Sequence, residues 1–325
     1  MVRPLYSFGN VDTVVFGRME VRFMIPDLIH FGLLILFPPL LLGVINKTKA
    51  WFAGRTGAPF FQPYFDLARL FRKYFLISKT TTWVFQAGPV VTLVAVFLAG
   101  LLIPLGNFGA PVAFAGDMIL FAYLFGLARF FTTSAALDTG SALEGMGAAR
   151  EVTFAVLSEP ALFFAFIVLA KLSGSLTLTT MLQNASTGGA TSSVPSLVLI
   201  ALGLFVVLLA ETCRLPVDDP NTHLELTMIH EVMVLDHSGP LLGMAQYAAA
   251  MKLFIFGSIL LQVILPFHTG MDWVDWPLFV LEILALAVIV GILESMMARL
   301  QIRRVPYLLV AALLLCGSSF ILLLR

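Results

Sequence analysis

"ETCRLPVDDPNTHLELTMIHEVMVLDHSGP", residues 211–240, lies between two stretches that are almost pure hydrocarbon. "VPSLVLIALGLFVVLLA" (194–210) runs into it and "LLGMAQYAAAMKLFIFGSILLQVILPF" (241–267) runs out of it. After Glu211 the segment holds five carboxylates, three histidines and one arginine. So abrupt a change decides the fold. About 20 apolar helical residues cross a bilayer core, and a charged stretch between two such runs is the connection between two spans.

The rest of the chain obeys the same rule. Hydrophobic residues make up 59% of the 325 and charged residues only 12%, about half the charged share of a soluble domain. The apolar runs predict spans at Ile25–Ile45, Trp83–Leu105, Asp117–Leu137, Ala148–Leu172, Val194–Cys213, Leu241–Phe267, Pro277–Leu300 and Pro306–Leu324. The expected fold is therefore all-α, a polytopic membrane protein with about eight transmembrane helices. Residues 1–24 read as an N-terminal extension and not as a cleavable signal, since no small-residue cleavage site follows the first apolar run. Residues 25–325 read as a single membrane domain with connecting segments 46–82, 138–150, 214–240 and 298–305 on one side.

Net charge is zero, so its distribution carries the information. Lys47, Lys49, Arg55, Arg69, Arg72, Lys73 and Lys79 crowd the first connecting segment. Arg150, Arg214, Arg299, Arg303 and Arg304 fall on the same side if the spans alternate. The opposite side has only Arg3, Arg18, Arg22, Lys171 and Arg325. The positive-inside rule then puts the four segments in the cytoplasm and both termini outside, in a multi-pass protein of the cell inner membrane. The first segment ends in the amphipathic "FDLARLFRKYF" (65–75), which suits either an interfacial helix or a protein-docking surface.

A charge at mid-bilayer costs at least about 2.5 kcal/mol, yet Asp27, His30, Arg129, Glu151, Glu159, Glu211, Lys252, Glu282 and Glu294 fall in or at the ends of spans. Asp27, Glu211 and Glu294 lie near span ends, where snorkelling to the interface is the simpler expectation. Glu159 and Lys252 lie deeper. Pro160 frees a backbone carbonyl beside Glu159, and Pro38-Pro39 breaks the first span. Either a hydrated path through neutral carboxyls or pairing of Glu159 with a buried base such as Arg129 accounts for the pattern. His223, His230 and His237 recur every seven residues, which predicts one helical face docked on another protein. That spacing is too wide for adjacent histidines to share one metal ion. The two cysteines, Cys213 and Cys316, fall short of the usual four for an iron–sulfur cluster, and the alternating spans place them near opposite membrane faces, too far apart to pair. No cofactor is expected in this chain.

"AETCRLPVDDPNTHLELTMIHE", "YLFGLARFFTTSAALDTGSALEGMGAAREVTFAVLSEP" and "GAPFFQPYFDLARLFRK" resemble the cytoplasmic segments of the complex I subunit 1 superfamily. "ESMMARLQIRRVPYL" resembles the junction of the last two spans in its hydrogenase-linked branch, which includes formate hydrogenlyase subunit 4-like proteins of hydrogenase-4 type complexes. The resemblance implies a non-catalytic membrane-arm subunit that docks a soluble arm and links its electron transfer to proton or sodium movement. The implied partners are hydrogenase-like large and small subunits carrying a nickel–iron centre, an iron–sulfur subunit, antiporter-like membrane subunits and the lipid bilayer. Nucleic acid is not among them. Arg214, Asp218, Glu225, Glu211 and Pro216 match the family pattern, as do Arg150 and Glu159.

On this reading Glu144, Glu151, Glu159, Glu211, Glu225 and Lys252 are proton-path candidates. Arg55, Asp66, Arg69, Arg72, Lys73, Arg150, Arg214, Asp218, Asp219, His223, His230 and Glu231 are arm-docking candidates. Asn221 and His223 stand where the quinone-reducing branch carries glutamates, which weighs against a quinone site. The quinone-site subunit of a NADH:quinone oxidoreductase-like complex is the alternative of the same fold, and a free-standing secondary transporter the alternative of another class.

Overall fold

A computed structural model describes residues 16–184, 194–218, 228–265 and 271–324, with only the backbone given for residues 16–25 and for Asp272. Among the described residues seven helices are long and apolar enough to cross a membrane, and eight crossings result if a bent pair of helices counts as one span. The chain is a multi-pass membrane protein, all-α as expected. The bent pair is the Pro26–Leu36 part of α1 (Phe16–Leu36) and α2 (Pro38–Phe52), which meet at 48°. Pro38 and Pro39 cause the break, since neither has an amide hydrogen to continue the ladder of α1.

The other helices are α3 (Gln62–Arg72), α4 (Trp83–Leu101), α5 (Asp117–Asp138), α6 (Ala142–Ser173), α7 (Leu178–Asn184), α8 (Val194–Glu211), α9 (Gly239–Ile264), α10 (Asp272–Met296) and α11 (Val305–Leu322). The long, apolar α9 is the central post, packed against α2, α3, α4, α8 and α10. Small residues let neighbours approach. Gly88 of α4 faces Ala135 of α5, and Gly203 of α8 faces Cys316 of α11, where an added Cβ would lie 2.6 and 2.4 Å from the opposing side chain. Without a hydrophobic drive between helices in lipid, such close packing supplies much of the association. Phe121, Phe125, Phe166 and Phe256 fill the space between α5, α6 and α9.

α3 lies outside the bundle of spans. Its Leu70 and Phe71 rest on Gly243 of α9, and the Tyr64 hydroxyl donates to the Leu36 carbonyl. The four segments assigned to one side do meet at one end. The Leu76 amide donates to Ser238 Oγ (2.9 Å), the Asp236 amide to Glu144 Oε1 (3.0 Å), Arg150 Nη1 to the Met228 carbonyl (3.0 Å) and the Leu300 amide to the Pro216 carbonyl (3.0 Å).

Candidate functional site

The site begins where α8 stops. Cys213 adopts a left-handed conformation (φ 56°), the Arg214 amide donates to the Leu209 carbonyl (2.8 Å) and the Cys213 amide to the Ala210 carbonyl (3.3 Å). These two bonds are a Schellman stop with cysteine where glycine is usual. The stop leaves Glu211 as the last helical residue, turned inward, with its side chain 6% exposed.

Opposite Glu211, α5 presents Arg129. Its Nη2 donates to both Glu211 oxygens (2.7 Å each), Nε to Glu151 Oε1 (3.2 Å) and Nη1 to Glu159. Ser158 Oγ adds a bond to Glu211 Oε1 (2.7 Å). One guanidinium thus uses its fixed fork of donors to hold carboxylates from α6 and α8. Glu151 and Glu159 are eight residues apart on α6, and both reach the same cation.

The fourth member comes from the polar loop. His230 Nε2 lies 3.3 Å from Glu151 Oε2. Burial works against a charge on this imidazole, but the Cys213 sulfur and the Glu151 carboxylate beside it outweigh burial and hold His230 well above the ordinary histidine range. Burial pushes the neighbouring Cys213 thiol up. Lys252 of α9 sits over the Phe125 ring (5.8 Å) within electrostatic reach of Glu151. Three cations, Arg129, His230 and Lys252, therefore face three carboxylates, Glu151, Glu159 and Glu211. A narrow cleft lined by Arg129, Glu151, Ser158, Glu211, Asp218 and His230 joins four of the six, leaving Glu159 and Lys252 outside its lining.

The balance is set by two ends of different exposure. Glu151 and Glu211 are shielded, whereas the Glu159 side chain is 45% exposed on the outer surface of α6. At the other end Asp218 clamps the loop: its Oδ2 accepts from the Ile229 amide (3.1 Å) and the His230 amide (3.3 Å), and its Oδ1 pairs with Arg299 (2.8 Å). The cluster therefore runs from a pinned loop to the outer surface of α6.

Several expectations change. His230 and His237 do not share a helical face, because a 3-10 turn (Glu231–Val234) separates them. His237 instead stacks on Phe85 (4.0 Å) and shares a hydrogen bond with its carbonyl (3.2 Å), and burial lowers its pKa. Glu211 and Glu294 do not snorkel. The Glu294 side chain is fully buried between Lys49 (2.8 Å) and Arg214 (3.2 Å), tying α2, α10 and the loop after α8. Arg214 and Asp218 are consequently internal clamps and not parts of an exposed docking face, and His230 is committed to the cluster. Glu144 accepts from Asp236 at the start of α6 and is not joined to Arg129.

Of the two accounts of Glu159, a path through neutral carboxyls or pairing with a buried base, the structure shows the pairing, with Arg129 as the base. Arg55, Arg69, Arg72 and Lys73 are exposed, with Arg69 paired to Asp66 (2.9 Å), and Arg150 and Glu231 are half-buried. Asp219, His223 and Glu225 lie outside the described residues.

The family described as NADH dehydrogenase matches residues 27–324. The chain is similar to hydrogenase-4 component C of Escherichia coli, 28% identical over 273 residues, which cover 82% of this chain and 85% of that one. It is also similar to formate hydrogenlyase subunit 4 of Escherichia coli, 27% identical over 281 residues, covering 84% and 90%. Its fold resembles a chain in the structure of the membrane-bound sulfane sulfur reductase, an archaeal respiratory membrane complex. That match has a TM-score of 0.76 and 22% identity, and covers 92% of this chain and 99% of the other.

Proposed function

Because the chain belongs to the NADH dehydrogenase family, we propose that it is the membrane-anchor and coupling subunit of a hydrogenase-type complex of the inner membrane. It holds a soluble arm through its loop-bearing end and links electron transfer there to proton or sodium movement. The chain itself carries no redox centre in this reading. The iron–sulfur clusters and nickel–iron centre belong to the docked subunits, and antiporter-like subunits lie beside it in the bilayer. The loop-bearing end faces the cytoplasm and both termini face outward.

The observation that carries the proposal is the continuous charged series from His230 through Glu151 and Arg129 to Glu159. A balanced set of buried charges is sensitive to any one of them. If a redox change in the arm shifts the loop pinned by Asp218, His230 separates from Glu151 and leaves the set with one carboxylate more than its cations. In a low-dielectric setting that carboxylate takes up a proton. Glu159, half-exposed on α6, is placed to pass charge to a neighbouring membrane subunit.

The decisive substitution is Glu159→Gln, which keeps shape and hydrogen-bonding capacity but cannot carry a proton. The variant complex is expected to assemble and to keep hydrogenase activity with soluble carriers, while ion movement into vesicles falls at least about tenfold. A variant that loses assembly, with any surviving complex still pumping, makes Glu159 a structural partner of Arg129 and removes the relay.

A further inference from the structure

The break in the first span takes donors away from the backbone carbonyls before it. Pro38 and Pro39 lack amide hydrogens, so the Leu34 and Ile35 carbonyls receive nothing from the helix that follows. The Leu40 amide turns to the Phe37 carbonyl (3.0 Å), so Leu36 loses its ladder partner as well. A carbonyl without a donor is costly wherever water is excluded, and both prolines are buried.

Side chains from two other helices fill the gap. The Tyr247 hydroxyl of α9 donates to the Ile35 carbonyl, and the Tyr64 hydroxyl of α3 donates to the Leu36 carbonyl. Phe37, at the break itself, sets its ring edge-on to Phe254 of α9 (6.1 Å). Ile35 and Phe37 are thus anchored to the central post.

The contribution of α3 is different, because it touches both halves of the span. Just ahead of it, the Phe60 carbonyl lies so close to Gly43 of α2 that no side chain fits there. Tyr64 then reaches across the break to the last residue of α1. At the other end of α3, Leu70 and Phe71 rest on Gly243 of α9. A helix outside the bundle of spans therefore straps the hinge between α1 and α2.

We propose that the Tyr64 and Tyr247 hydroxyls latch the bend of the first span, so that the seating of α3 and the tilt of the Pro26–Leu36 half of α1 change together. Withdrawal of α3 takes the donor from Leu36. That carbonyl then regains a partner through water or a rearranged turn, and either one alters the bend. The proposal concerns the chain alone and holds whatever α3 docks.

The test uses the full chain in lipid nanodiscs, in a background without Cys213 and Cys316. Spin labels are placed through Leu28→Cys and Leu176→Cys, both exposed positions. Leu28 lies eight residues before Leu36, a lever of about 12 Å. The distance between the labels is expected to be single and narrow in the latched chain. Tyr64→Phe and Tyr247→Phe should each add a component displaced by about 4 Å or more at the end of that lever. Tyr64→Phe should also speed amide exchange in α3 about fivefold, as the loss of one hydrogen bond implies. Pro38→Ala with Pro39→Ala restores the missing amides, so in that background Tyr64→Phe should leave the distance unchanged. An unaltered distance in both tyrosine variants overturns the proposal, even with faster exchange in α3, because α3 then merely rests on the span. Unaltered exchange in α3 also overturns it, as does a Tyr64→Phe effect that persists in the alanine background. Should Tyr64→Phe fail to fold, Tyr247→Phe decides by the same distance.

Discussion

Arg129 shows what a single residue does when lipid surrounds the protein. Its guanidinium is the common partner of Glu151, Glu159 and Glu211, with the arginine itself only 8% exposed. Removing one member of a buried ion set leaves an uncompensated charge, a loss of about 3–5 kcal/mol. Arg129→Met is accordingly expected to lower stability by that order in thermal unfolding of the purified chain. Combining it with Glu211→Gln should recover part of the loss.

His230 has the opposite sensitivity to pH from His237. Its pKa is raised in the folded protein, so its contribution is full below about 6.5, the unfolded value, and is lost as pH rises through the higher folded value. The Tm gap between the unmodified chain and His230→Gln should be widest at mildly acid pH and close as the solution becomes alkaline. The lowered His237 gives stability above about 6.5 that falls away as pH drops. A gap for His230→Gln that widens with pH would contradict the pairing with Glu151.

Helix α3 makes the case at the scale of an element. Proline near its start and aromatic residues along its length set it against α9, while Phe65, Arg69, Arg72 and Lys73 face outward. Beyond it Tyr74, Phe75 and Leu76 are also exposed. A basic, aromatic surface beside the loop 228–240 suits a protein partner whose surface is acidic. Reversing charge at Arg72 together with Lys73 should release the soluble arm on purification, since unpaired interfacial charges cost several kcal/mol. Retention of the arm with coupled activity would make α3 a membrane anchor.

For the whole molecule, the gathering of the connecting segments at one end turns orientation into a testable statement. In a background without Cys213 and Cys316, a cysteine at Ser78 should react only from the cytoplasm and one at Leu176 only from outside. Reversed labelling would overturn the orientation and the docking surface with it.

Much of this architecture follows from one-dimensional facts. Hydrocarbon length sets the number of crossings, Pro38-Pro39 sets the bend, and each polar interruption sets a connection, because backbone and lipid impose local rules on local sequence. The extent of α6, which begins at Ala142 and not at Ala148, depends on a polar first turn that hydropathy alone excludes. The site was legible only as an inventory: Arg129, Glu151, Glu159 and Glu211 stand out as charges in oil. Pairing of Glu159 with Arg129 stood among the alternatives, but the gathering of Glu151 and Glu211 on the same guanidinium was not legible, because Arg129 meets them 22 and 82 positions away. Likewise, the seven-residue rhythm of the histidines suggested a helix, but packing against Phe85 and Glu151 claimed two of them separately. Spacing along a chain reports which residues share an element. Which charges neutralise one another is decided by the register between helices, and that register exists only once they pack.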